Sequence, residues 1–414
     1  MHKLLLLLLL FSISLYAQSA QEVENTFGVK FSGFIKTDVM FDSRQTVSAR
    51  EGHFLLYPAG EMPDANGDDI NAKPNLNMLS IQTRLKAGIT GPNAFGAKTS
   101  GVIEGAFFGH SNSDINGFRL RHAFIKLSWQ KSSLLIGQTW HPMFITEVFP
   151  GVVSFNTGVP FQPFSRNPQI RYTKNVNHIS ISFTAASQRD FASTGPNGGT
   201  SSYLRNSSIP IINTTVKYKT DNVVLGAGLN YMTIMPRLFT SNDYGADPLT
   251  KYDADETVSS LAGIAFAKFV SGEFTIKAES IYGSNMTDLL MLGGYAVKST
   301  DLATGAEEYT NSKTLSAWTD LSYGKGFGFG LFAGYTNNMG TEDENTGPYY
   351  SRGSNIDNVI RVSPRLQYQI GKTRFAGEVE YTSAAYGTAD INGKVKDTTN
   401  TDNIRLVIAA YLFF

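Results

Sequence analysis

The chain has 414 residues, 35 Lys and Arg against 35 Asp and Glu, and no cysteine. Balanced charge argues against a nucleic-acid partner, and the missing thiols exclude disulfides, thiolate metal sites and lipid attached through cysteine. With Phe 28, Tyr 19 and Gly 39, the composition suits a wall that shows apolar side chains outward and polar ones inward. At the start, Met1-His2-Lys3 precedes an unbroken leucine run and a small residue, Ala17. That is the build of a secretory signal peptide over residues 1–17, cut after Ala17 or Ala20. The run is too short to span a membrane as a helix, which takes about 20 residues, and no later segment is long and apolar enough.

Past residue 27, the recurring pattern has a period of two. Over residues 31–41, Phe31, Ile35, Val39 and Phe41 alternate with Ser32, Lys36 and Asp38. Over residues 80–89, Ile81, Leu85, Ala87 and Ile89 alternate with Gln82, Arg84 and Lys86. Residues 119–129 depart from it, because Arg119 and Arg121 fall in phase with Ile125 and Leu127; a bulge or a protein-facing part would explain this. Residues 360–370 and 375–381 alternate cleanly, and residues 402–414 end on Phe414 with Ile404, Leu406, Ile408 and Leu412 on one face and Arg405 and Tyr411 on the other. Phe413 and Phe414 together suggest an aromatic girdle.

Tight turns fall at residues 90–93, 130–132, 174–177, 220–222, 271–272, 324–326 and 371–372, rich in Gly, Asn, Asp and Ser. Longer segments lie between them at residues 43–75, 111–116, 142–164, 189–209, 235–256, 285–312, 339–357 and 387–401. Seven turns and eight loops join sixteen strands, an even number. The expected fold is therefore all-β: a transmembrane antiparallel barrel over residues 27–414 with short periplasmic turns and long external loops.

One loop is too apolar to lie in water. Residues 142–164 carry Phe144, Phe149, Phe155, Phe161 and Phe164 beside Asn156. Folding into the barrel and packing on its inner wall would dry these rings, and packing outward on a neighbouring copy is the alternative. Facing such a loop, the inward positions offer Lys36, Arg84, Arg171, Arg361, Arg365 and Arg405, with Arg166 at the loop's exit. Guanidinium groups hold carboxylates by paired hydrogen bonds and stay charged, so a ladder of them would favour anions. The plainer reading pairs them with Asp38, Glu104, Glu279, Glu378 and Glu380.

Asp64, Asn66 and Asp68 place oxygen ligands at alternate positions, as calcium loops do, but the glycine is misplaced and the closing Glu is missing. An acidic external loop is expected there, with external calcium as the alternative and no other cofactor. His53, His110, His122, His141 and His178 show no metal-ligand spacing, and no enzymatic activity is expected.

FSGFIKTD at residues 31–38, FRLRHAFIKL at 118–127, LLIGQTW at 134–140 and RNPQIRY at 166–172 together resemble the DcaP-like porins, channels of the outer membrane of diderm bacteria. The resemblance covers residues 31–173 well and the rest by barrel pattern. It implies a homotrimeric sixteen-stranded porin passing small anionic solutes. The coiled-coil segment that precedes the barrel in some relatives has no heptad seam here. The reading is an outer-membrane diffusion channel for small hydrophilic solutes, preferring anions such as carboxylates. The alternative is a non-conducting barrel that acts as adhesin or receptor through its loops.

Overall fold

The structure, a computed structural model, describes residues 27–242 and 250–414. The signal-peptide reading lies outside the described residues, as do residues 243–249 of the fifth loop. Sixteen antiparallel strands close into a barrel. They are β1 (Gly28–Asp42), β2 (in two pieces, Asn75–Leu79 and Arg84–Ala94), β3 (Ala97–Ala106), β4 (Arg119–Ser128), β5 (Ser132–Trp140), β6 (Arg166–Val176), β7 (Ile179–Ala186) and β8 (Ile211–Lys219). The second half comprises β9 (Val223–Ile234), β10 (Val258–Ser271), β11 (Phe274–Ser284), β12 (Glu307–Tyr323), β13 (Phe327–Thr341), β14 (Ile356–Ile370), β15 (Thr373–Ala389) and β16 (Val395–Phe413).

Each strand pairs with its neighbour in sequence, and β1 pairs with β16 to close the wall, Lys36 opposite Tyr411 and Asp42 opposite Arg405. Full closure leaves no strand edge unpaired, the condition for crossing lipid with strands. On β16, Ile404, Leu406, Ile408, Leu412 and Phe414 are exposed to the outside, whereas Asn403, Arg405, Val407 and Ala409 are buried within. Each large side chain of this belt contributes about 1.5–3 kcal/mol on leaving water for lipid. Phe413 turns inward, not to the girdle, and stacks on Tyr411 with ring centroids 5.7 Å apart.

The turns sit close to where the alternation breaks, with local corrections. β2 runs through Gly91 and Pro92, so the first turn is Phe95-Gly96 and not residues 90–93, and β6 likewise runs to Val176. The last loop shrinks to residues 390–394, because β15 and β16 rise as a tall hairpin through most of residues 387–401. β2 is interrupted at residues 80–83, which turns Ile81 into the interior instead of toward lipid. On β4 the register slips between Glu104–His122 and Gly105–Leu120, a bulge at Arg121. It puts Arg119 and Arg121 inside while Ile125 still faces out.

Short turns gather at one rim, the periplasmic one by the rule for outer-membrane barrels, and long loops at the other. The loops are numbered L1–L8 in chain order. L3 (residues 141–165) folds into the lumen, with Met143, Val148, Phe155, Val159, Phe161 and Phe164 buried. L1 (residues 43–74) joins it, which the sequence reading did not anticipate. Its hairpin of Thr46–Ala49 and Phe54–Pro58 drops inside and buries residues 54–57. Phe54, Phe108, Phe155 and Phe164 form one aromatic packing, with Phe54–Phe155 at 4.6 Å and Phe108–Phe155 at 4.1 Å between centroids. L4 (residues 187–210) and L6 (residues 285–306) add Phe191, Leu289 and Leu290 to it, so the external half of the lumen is filled by loop side chains.

Candidate pore and lumen charges

L3 is pinned to the wall by its backbone. Val153 and Ser154 donate their N–H groups to the Glu378 carboxylate at 2.8 and 3.1 Å, and Asn156 Nδ2 donates to Glu380 at 2.7 Å. Lys36 Nζ donates to the Val153 carbonyl at 2.8 Å, and Ser316 donates to the Phe161 carbonyl at 2.8 Å. Arg361 reaches both inward loops: Nη1 donates to the Val159 carbonyl at 2.7 Å, and Nη2 to the carbonyls of Leu55 and Leu56 at 3.3 and 2.9 Å. Gly334 on β13 lets L3 lie close, since a Cβ there would sit 2.6 Å from the Phe161 ring.

The candidate lumen cations therefore divide. Lys36 pairs with Asp38 at 2.9 Å, Arg365 with Asp320 at 2.7 Å, and Arg405 with Asp42 through two hydrogen bonds of 2.8 and 2.7 Å. With Arg361, these are buried anchors beneath L1 and L3. Arg166 is also buried, donating to Asp190 at 2.8 Å and lying over the Trp140 ring at 5.0 Å. Arg119 pairs with the same Asp190, and Arg121 donates to Glu104 at 2.8 Å, with Arg84 3.9 Å from that carboxylate. Four guanidinium groups thus share two carboxylates on this arc. Arg171 donates to the Trp140 carbonyl at 2.9 Å and has no carboxylate within ion-pair distance among the described residues.

The ring phenylalanines of L3 also divide. Phe144 stacks on Trp140 at 3.8 Å and 9° and is buried with Phe155, Phe161 and Phe164. Phe149 stays 38% exposed at the loop's lower margin, beside Thr146, Glu147 and Gly151. There the loop meets the periplasmic half of the wall: Lys277 Nζ donates to the Phe149 carbonyl at 2.9 Å, and Lys217 pairs with Glu147.

Of the lysines of this lower half the sequence reading placed only Lys86 on the polar face and took none as a pore residue, although their phase marked them as inward. Lys86, Lys126, Lys217, Lys268 and Lys277 all occupy inward positions and are partly exposed. Lys268 and Lys277 stand directly opposite each other on β10 and β11. Like charges placed so are unfavourable without an anion between them. Against this set stand Glu104, directly opposite Lys86 and engaged by Arg121, Asp320, directly opposite Lys277 and engaged by Arg365, and Glu147. For Glu147, burial favours the neutral acid, but the Lys217 hydrogen bond and the charges of Lys217 and Lys219 outweigh it and hold the group below the usual carboxylate range.

Other candidates fall outside this site. Asp64 Oδ1 accepts the N–H groups of Asn66 and Asp68 at 2.7 and 3.0 Å, so the acidic stretch closes a turn on itself. No group of acidic or His side chains suited to a metal occurs among the described residues. His53 sits 3.4 Å from Asp38 and touches Phe108 and Phe155; burial, with Lys36 and Arg405 nearby, pushes its pKa well down and keeps it neutral.

Asp288 in L6 supplies a pH-dependent contact. It is buried, accepts from Gln188 of L4 at 3.2 Å, and burial pushes its pKa up to about 7 despite that hydrogen bond. A raised carboxyl pKa stabilises the packed form below it, and this contribution fades as pH climbs from about 4 through about 7. At about 1.4 kcal/mol per unit, the contact should lose a few kcal/mol over that window. Hydrogen exchange of residues 187–210 should thus be faster at pH 8.5 than at pH 5.5 after correction for intrinsic rates, and Asp288→Asn should level the two. An unchanged pH contrast in the variant would refute the assignment.

The sequence matches the family model described as DcaP outer membrane protein over residues 18–223, about half of the chain. No curated protein matches. The fold is similar to the crystal structure of the outer membrane channel DcaP of Acinetobacter baumannii, with TM-score 0.69 at 15% identity over 96% of this chain and 100% of that one. It is also similar to in-vitro folded OmpT of Vibrio cholerae in its trimer form, with TM-score 0.54 at 12% identity over 94% and 100% of the two chains. OmpF of Salmonella typhi, solved with daunomycin, gives 0.51 at 14% over 93% and 97%. With the closed sixteen-stranded wall, its inward loop and the motif-bearing first half all in agreement, the chain belongs to the DcaP family of outer-membrane porins and resides in the outer membrane of a Gram-negative bacterium.

Proposed function

We propose that this porin is a passive diffusion channel that prefers small anionic solutes, carboxylates above all, and works as a homotrimer. The charge of the lower lumen carries the reading. Lys86, Lys126, Arg171, Lys217, Lys268 and Lys277 face inward there, and Glu147 is the carboxylate that meets them without an arginine partner. A low-dielectric wall focuses such a field and concentrates counter-ions in the passage. The trimer draws its support from the trimer form of the similar OmpT barrel. No catalytic role is part of the proposal.

Planar bilayers with a salt gradient test it directly. The reversal potential should carry the sign of chloride permeation. Lys86→Ala with Lys268→Ala should lower the anion-to-cation permeability ratio at least about twofold, with a larger effect at low ionic strength. A cation-selective wild type would overturn the selectivity. One observation favours the second reading, a non-conducting barrel acting as adhesin or receptor: L1, L3, L4 and L6 fill the external half of the lumen. Absence of any conductance from folded protein would decide for it.

A further inference from the structure

Glu147 is the one L3 side chain that forms an ion pair with the lower wall. The contact differs in kind from the others that hold the loop. Those to Glu378, Glu380 and Arg361 are buried, whereas Glu147 and Lys217 are each about a quarter exposed, at 26% and 25%. An ion pair so exposed is weak and easily exchanged. The loop's position does not depend on it, because the buried contacts fix residues 153–161. The carboxylate is nevertheless aimed: Thr146 Oγ1 donates to Glu147 Oε2 at 3.2 Å while Oε1 meets Lys217. Lys219 and Arg171 lie within electrostatic reach of the same group.

We propose that Lys217, supported by Lys219 and Arg171, is a binding site for the carboxylate of a permeating solute, and that Glu147 is its tethered resident ligand, displaced each time a solute carboxylate enters. The inference rests on the anion-preference reading and adds the site and the residue that sets its affinity. A tethered competitor raises the solute concentration needed to fill the site. It also keeps the site from holding an anion so tightly that transport stops.

Acetate is the probe. Current carried by sodium acetate through single channels is measured against concentration for wild type, Glu147→Gln and Lys217→Met, with heat-modifiable gel migration reporting folded barrels. Glu147→Gln should lower the half-saturating acetate concentration about three- to fivefold, the scale of an exposed ion pair. Lys217→Met, which leaves the carboxylate unpaired in the passage, should raise it. Opposite shifts support the proposal. Shifts in one direction, with larger and noisier currents in both variants, make Glu147 a tether of L3 and overturn it, as does an unchanged half-saturation in Glu147→Gln. The wild-type reversal potential in a potassium chloride gradient separates the two levels. Anion preference with no Glu147→Gln effect removes this proposal alone, and cation preference removes both.

Discussion

Arg361→Ala should widen the channel and make it flicker. The side chain is fully buried on β14, and its nitrogens satisfy the carbonyls of Val159, Leu55 and Leu56 and the Thr382 hydroxyl, with Glu380 3.9 Å away. One guanidinium therefore fastens L1 and L3 to the same point of the wall. Alanine leaves three buried carbonyls without donors, each costing about 1–3 kcal/mol, and a buried Glu380 without its cation, a loss of about 3–5 kcal/mol when a pair is broken on one side. The strand ladder does not use this side chain, so the barrel should still assemble while L1 loosens from the wall and L3, still held through Glu378, Lys36 and Ser316, loosens around Val159. Single-channel recordings should show a several-fold larger conductance with rapid transitions. Arg361→Lys should fall between, because an ammonium keeps the charge but lacks the planar fork that spans two loops. A quiet channel of wild-type conductance in Arg361→Ala would show that the aromatic packing and the hydrogen bonds of L3 to Glu378, Lys36 and Ser316 hold the loops without it.

The wall was legible in the sequence and much of its interior was not, for a physical reason. Alternation is a local property: Ile404, Leu406 and Ile408 announce an outer face whatever the rest of the chain does, and Gly-Asn-Asp turns announce where a hairpin reverses. The inward sense of Arg361, Arg365 and Arg405 follows from the same phase. Whether such a cation meets water or a partner is set by residues up to hundreds of positions away, Asp42 for Arg405 and the L1 and L3 carbonyls for Arg361. Sequence phase carries nothing about that. It also explains why the arginines drew more attention than Lys217, Lys268 and Lys277, whose openness shows only once L3 is seen to stop above them. The L1 hairpin escaped notice because Leu55, Leu56 and Tyr57 are a brief apolar stretch in a long polar segment, whereas L3 declares itself by its many phenylalanines. The bulge at Arg121 was readable as a phase break, and the break of β2 at residues 80–83 was not, because Ile81 keeps the phase of Leu85.

Gly33→Val should prevent the barrel from closing. Gly33 and Phe414 exchange both backbone hydrogen bonds at 3.1 Å, which finishes the seam between β1 and the end of β16. A Cβ at Gly33 would lie 2.1 Å from the Arg84 carbonyl oxygen on β2 and 2.7 Å from the Phe414 ring. The first of these neighbours is backbone, held in the ladder where Phe34 pairs with Arg84, and cannot swing aside. A branched side chain must therefore push β1 off β2 and displace the Phe414 ring, beside the seam where the wall has no continuous chain to hold it. An effect above about 4–5 kcal/mol, the range reserved for broken backbone geometry or cores, is expected. Gly88→Ala is the matched control: it sits on the same β1–β2 seam, but its added carbon would meet the Lys30 carbonyl at an ordinary 3.8 Å. Deleting Phe414 should cost less than Gly33→Val, since it removes two hydrogen bonds and a ring without displacing a strand. Heat-modifiable migration of protein folded into detergent should report folded barrel for Gly88→Ala, a reduced fraction for the deletion, and almost none for Gly33→Val. Efficient folding of Gly33→Val would mean that the seam is loose enough to admit a side chain, and that the last strand contributes less to closure than its pairing indicates.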